Sequence, residues 1–205
     1  ASALSAQQCL TCPILPSKKM KRYTYYIIAM LAIFTACGNT DYEYSNYPCY
    51  FIFENDASRS AALASAMNSM SPGIFCRITT SGENHFLFES NQGLSDRPVL
   101  TAIDQQRTVR LGTYNETGII VGYGNLNNPA TFYAYDSQCP NCYKNTSLPR
   151  YKLTMNTDGT AECGSCSRKY DMNNGGIVVS GDSGDKLIRY HASTTGPQGV
   201  LSVTN

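Results

Sequence analysis

Tryptophan is absent from this 205-residue chain, histidine occurs twice, and charged residues make up 15% of it. With Lys+Arg 16 against Asp+Glu 15, the net charge of +1 gives no field that would draw a nucleic acid, so no nucleic-acid partner is expected. Also missing is an apolar run of the roughly 20 residues that a bilayer-spanning helix needs. The stretch at 27–34 is far shorter. No Ser-His-Asp set, paired-carboxylate pattern or phosphate-cradling glycine loop appears, and the reading therefore leans away from an enzyme. The polar clusters at 125–128 and 181–185 are turn chemistry.

What is present favours strands. Tyr 15 and Phe 7 accompany many Thr, Ser, Asn and Gly residues. An aromatic run at 49–53 suits a strand, and 57–70, rich in Ala and Met at helical spacing, predicts the one real helix, ended by Ser71-Pro72-Gly73. Segments 74–79 and 85–89 read as a hairpin turning at Ser81-Gly82. Short strands then recur at 108–112, 118–123, 130–135, 176–180, 187–191 and 200–204. That rhythm predicts an all-β sandwich or small barrel with one short helix.

The first segment reads as an address. Lys18, Lys19, Lys21 and Arg22 precede the apolar run, and Thr35-Ala36-Cys37 follows it, the layout of an export signal. Small residues directly before a cysteine resemble a bacterial lipobox, which implies cleavage before Cys37 and lipidation of its sulfur. Met20 looks like the natural start, so 1–36 divides into upstream sequence, carrying Cys9 and Cys12, and the signal peptide. Residues 37–48 read as a lipidated tether, 49–98 as an N-terminal β/α segment and 99–205 as the main domain. The expected location is the bacterial cell envelope, with the membrane a partner through the lipid.

Nine cysteines carry the rest of the argument. Setting aside Cys9, Cys12 and Cys37 leaves six. Cys49 and Cys76 each sit alone in a predicted strand; in an exported protein a structural disulfide is the simplest expectation, buried free thiols the alternative. The other four form C-x-x-C twice, Cys139-Pro-Asn-Cys142 and Cys163-Gly-Ser-Cys166. Each such turn points two thiolates at one centre, and two turns brought together make an S4 set suited to zinc or iron–sulfur. A pair of disulfides is the competing reading.

The residues around the second pair sharpen this. Cys163-Gly-Ser-Cys166-Ser-Arg-Lys-Tyr170-Asp171, followed by Gly175 and Gly176, resembles the second cluster loop of Rieske iron–sulfur proteins. Tyr170 and Asp171 fall at the family's aromatic-Asp positions, Cys166 at its histidine, and Arg168 where many members carry a serine. Ala134-Tyr135-Asp136 before Cys139-Pro140 is similar to the strand entering the first loop. The resemblance covers roughly 99–205 and implies a Rieske-like antiparallel β-sandwich with metal loops within 136–176. Neither loop contains histidine, and His85 and His191 sit in predicted strands away from the motif. The resemblance thus implies a [2Fe–2S] cluster on Cys139, Cys142, Cys163 and Cys166, with a potential falling toward roughly −400 mV and flat with pH near neutrality. It implies an electron carrier with a redox partner protein. The alternative is a non-catalytic binding or assembly lipoprotein whose Rieske-like fold is held by structural zinc or by disulfides. Too few residues follow Asp171 for the second domain of an oxygenase.

Overall fold

A computed structural model describes residues 43–81, 85–98 and 100–205. The signal segment, Cys9, Cys12, Cys37 and most of the expected tether lie outside the described residues, as does Gly82 of the expected turn.

Which faces of a strand are apolar decides what it packs against. β1 (Tyr50–Glu54) and β3 (Phe86–Ser90) bury alternate residues and so have one covered face. β2 (Phe75–Thr80), β5 (Ile119–Tyr123) and β6 (Phe132–Asp136) are buried almost throughout, so both of their faces are covered. With β4 (Ser95–Asp96), β11 (Arg189–Thr194) and β12 (Val200–Thr204) they form an eight-stranded antiparallel sheet in the order β1-β12-β11-β6-β5-β2-β3-β4. A second, four-stranded sheet runs β10-β9-β8-β7, from β7 (Leu153–Met155), β8 (Thr160–Cys163), β9 (Lys169–Asp171) and β10 (Ile177–Ser180). The described residues are all-β in class.

The large sheet curls on itself. β1 and β3 stand six places apart in it, yet Phe51 meets Phe86 edge-on at 5.2 Å and Phe53 meets Phe88 at 5.0 Å. These rings close the inside of a half-barrel together with Ile78, Ile119, Val121, Leu201 and Val203. Its other face is a second core, in which Phe75, Ile120, Tyr133 and Tyr135 of the large sheet meet Leu153, Ala161, Tyr170 and Met172 of the small one. The small sheet therefore covers the outer face of β2, β5 and β6. Residues 49–98 supply four of the eight strands, β1 pairing with β12 and β2 with β5.

Several expectations are corrected. The predicted helix at 57–70 is broken into α1 (Asn55–Ser58) and α2 (Ala61–Ala66). Arg59 takes a left-handed φ of 50° and Ser60 caps α2 by accepting from the N–H of Leu63. The buried Asn55 side chain holds the break, accepting from the Ser60 N–H and donating to the carbonyls of Ser60 and Pro197. Two further helices exist, α3 (Ala102–Gln106), closed by a capping box from Thr101 to Asp104, and α4 (Pro140–Thr146). Residues 108–112 make only a bridge, Tyr50↔Arg110, because Asp136 and Asn115 draw the following loop inward: Asp136 Oδ2 accepts from Thr113 N–H and Asn115 Oδ1 from Leu111 N–H. The segment between the cysteine pairs, expected to be loop, contains the β7–β8 hairpin.

The expected Cys49–Cys76 bridge is not formed; both are free thiols buried in the half-barrel core. Four strands separate β1 from β2 in the sheet order, so Cys49, just before β1, lies beside Gly112 while Cys76 pairs with Ser90 and Val121. Burial pushes the Cys49 thiol up to about 12, against a backbone hydrogen bond at Gly112 that lowers it, and burial likewise pushes Cys76 up. Both are inert apolar packing.

Candidate metal centre

Two ladders bring the cysteine pairs together. β6 runs on past Asp136, and its extension pairs with the strand that enters β7: Leu153 N–H donates to Ser137 O at 2.8 Å, Cys139 N–H donates to Tyr151 O at 2.9 Å, and Gln138 bridges Lys152. On the other side of β7, Leu153 is in register with Cys163. Cys139 and Cys163 thus reach the same end of the small sheet on either side of one strand.

Local sequence shapes each turn. Cys139 caps α4, and Pro140, at its first position, lacks the N–H that a helix start leaves unpaired and has its φ preset. Cys142 then falls on the first turn of that helix. In the second turn Ser167 N–H donates to Cys163 O and Cys163 N–H to Arg168 O, closing a loop that needs Ser167 at a left-handed φ of 56°. The tip Gly164-Ser165 is exposed, and Cys166 returns toward the first loop.

All four sulfur atoms lie within 4.8 Å of one another. The hydrogen-bonding pairs join different loops: Cys139 Sγ is 3.7 Å from Cys166 Sγ, and Cys142 Sγ is 3.8 Å from Cys163 Sγ. Every one of the four is free, and neither C-x-x-C is closed on itself as a bond, which would need about 2.0 Å. Four thiolates so gathered can hold a metal ion.

Second contacts are equally specific. Tyr170 Oη stands 3.1 Å from Cys139 Sγ and accepts from Asn141 Nδ2 at 3.0 Å, which leaves its O–H to donate to the sulfur once that sulfur is ionised. Burial pushes the thiols of Cys139 and Cys142 up. Burial also raises Cys166, but the Arg168 N–H, the Arg168 guanidinium and the neighbouring thiols outweigh it and bring Cys166 to about 7. Cys166 therefore ionises more easily than Cys139 or Cys142. A third loop, 181–186, packs over the site. Arg168 Nε donates to Asp182 O, Asn141 exchanges two hydrogen bonds with the Asp185 backbone at 2.9 Å, and Lys144 pairs with the Asp185 carboxylate. A side chain at Gly184 would collide with Asn141.

No family model, curated protein or solved structure matches this chain. The site is thus read from its own geometry. The four cysteines that the spacing singled out are brought together. His85, exposed at the start of β3, and His191, stacked on Tyr44 at 3.7 Å, stand outside the group. Sequence reasoning noticed Tyr170 and Arg168 as positions and missed what they touch. Asn141 was missed altogether, although it stands between the first two cysteines; its role shows only in its contacts with Tyr170 and Asp185.

Proposed function

We propose that Cys139, Cys142, Cys163 and Cys166 hold one zinc ion, which cross-links a Rieske-like binding or assembly domain of a lipid-anchored cell-envelope protein without performing chemistry. One observation carries the choice of a single ion. Sulfurs about 2.3 Å from a central ion at tetrahedral corners stand about 3.8 Å apart, and the two inter-loop contacts here are 3.7 and 3.8 Å. A [2Fe–2S] core has two irons and two sulfides between its thiolate pairs and holds those pairs about 5 Å or more apart, beyond the 4.8 Å that spans the whole set. A bound zinc would supply on the order of 10 kcal/mol of folding energy to a sheet whose strands are only three or four residues long.

The test is elemental analysis with a visible spectrum of anaerobically purified protein. One zinc per chain and no colour are expected. Two irons with two acid-labile sulfides overturn the zinc reading and leave the second one standing.

That second reading is a [2Fe–2S] electron carrier with a redox partner protein. It draws support from the strand–loop order of the Rieske resemblance and from the Tyr170 hydroxyl aimed at Cys139 Sγ. With no histidine ligand, its potential would not change with pH near neutrality. The envelope address rests on the sequence before Cys37. It is tested by Cys37→Ala, which is expected to abolish labelling by a fatty-acid analogue; undiminished labelling would refute lipidation there.

A further inference from the structure

Away from the cysteines, a cleft of about 580 Å³ opens between the turn that follows β3 and the outer edge of β7. Its floor holds an unusual charge arrangement. The Arg77 side chain is only 10% exposed; its Nε donates to Ser137 Oγ at 2.9 Å and its Nη2 donates to the Leu153 carbonyl. Nη1 is left over and faces Glu89 Oε2 at 3.7 Å, and Lys152 Nζ approaches the same oxygen at 3.8 Å. Both separations are ionic contacts too long for hydrogen bonds, and Glu89 Oε2 is buried without a hydrogen-bond partner. Two cations thus converge on one carboxylate that satisfies neither of them.

We propose that this cleft binds a small molecule through a carboxylate, which Arg77 Nη1 and Lys152 Nζ grip where Glu89 only approaches them. A guanidinium nine-tenths buried, with one nitrogen that makes no hydrogen bond, is preorganised for a carboxylate oxygen. The local charge is short of one anion: burial and the Arg77 charge lower Lys152 despite Glu89, and burial lowers Arg77 despite the same carboxylate. The walls suit a polar ligand, with Ser90, Gln92 and Thr154 lining the cleft. The volume lies in the range of small-molecule sites. None of this depends on which ion the cysteines hold.

The carboxylate could be carried by a sugar acid or by an acylated amino acid, and the two are separable as probes. Glucuronate and N-acetylglutamate are titrated into the intact metal-loaded protein by NMR, following the Arg77 Nε–H and the amides of Gly93 and Thr154. Glucose and chloride at matched ionic strength serve as controls. Saturable shifts are expected with one carboxylate or both, the tighter identifying the carrier, and none with either control. Lys152→Gln should weaken binding about tenfold, the loss of one charge-assisted hydrogen bond, and Lys152→Arg should retain most of it. Glu89→Gln should tighten binding at least about threefold by removing a like charge. The proposal is overturned if neither carboxylate saturates, if chloride reproduces the shifts, if K152R loses as much as K152Q, or if E89Q weakens binding as K152Q does. Lys152 and Glu89 are both partly exposed, and unchanged melting temperatures keep folding out of the comparison.

Discussion

The two sheets are built on opposite economies of scale. The large one has eight strands, seven of them five or six residues long, and encloses a core whose phenylalanines meet across its curl. The small one has four strands of three or four residues. Its buried face is lent by its neighbour, through Phe75, Ile120, Tyr133 and Tyr135, and its far end is gathered at four sulfurs. Short strands expose too much backbone for the area they bury, so the proposed metal would do there what apolar area does in the half-barrel. Arg77 joins the two regions, starting from β2 and reaching Ser137 Oγ and the Leu153 carbonyl.

That contrast can be broken most sharply at the proposed metal site. Cys163→Ser, or a strong chelator, should remove on the order of 10 kcal/mol from the small sheet. Hydrogen exchange is the measurement: amides of β7–β9 should lose protection while those of β5 and β12 keep most of theirs. Equal loss in both sheets would show one cooperative unit and undo the comparison.

From the other side, Phe53→Ala should cost about 3–5 kcal/mol in denaturant unfolding, because it removes ring contacts that hold β1 against β3. Metal content should be unchanged at low denaturant. A third test acts inside the metal site: Tyr170→Phe deletes the hydroxyl 3.1 Å from Cys139 Sγ and should weaken metal binding about tenfold, read by competition with a chromogenic chelator.

The smallest effect belongs to the half-barrel's thiols. Cys49 is raised from 9.0 to about 12, so its contribution is fully present below pH 9.0 and is lost as pH rises toward about 12, because the unfolded chain ionises first. Stability should fall by about 1 kcal/mol for this thiol by pH 10. A Cys49→Ala variant should show a correspondingly flatter profile between pH 9 and pH 10, and neither Cys49 nor Cys76 should react with iodoacetamide in the folded protein.

Much of the large sheet was legible before any coordinates. Aromatic and β-branched runs at 74–79, 118–123 and 200–204 have the period and composition of strands, and the structure places strands within one or two residues of each. The four metal-site cysteines were legible for a different reason: a repeated C-x-x-C states its chemistry in its spacing. What failed was local signal in the presence of longer-range partners. Residues 57–70 carry a helical pattern, but Asn55 and Ser60 offer side-chain hydrogen bonds that compete with helix continuation. The β7–β8 hairpin, which sets Cys163 opposite Leu153, is too short and too polar to announce itself.

By itself the sequence determined an all-β chain, the four candidate sulfur ligands and the lack of a histidine among them, since each of those follows from residue type and near-neighbour spacing. Tertiary structure alone decided the rest. It placed Cys49 beside Gly112 and left it a free thiol, it set the sulfurs within 4.8 Å of each other, and it met Glu89 with two cations from β2 and the entrance to β7. The physical reason is that such distances depend on sheet order and curl, which arise from contacts between residues far apart in the chain and leave no periodic mark along it.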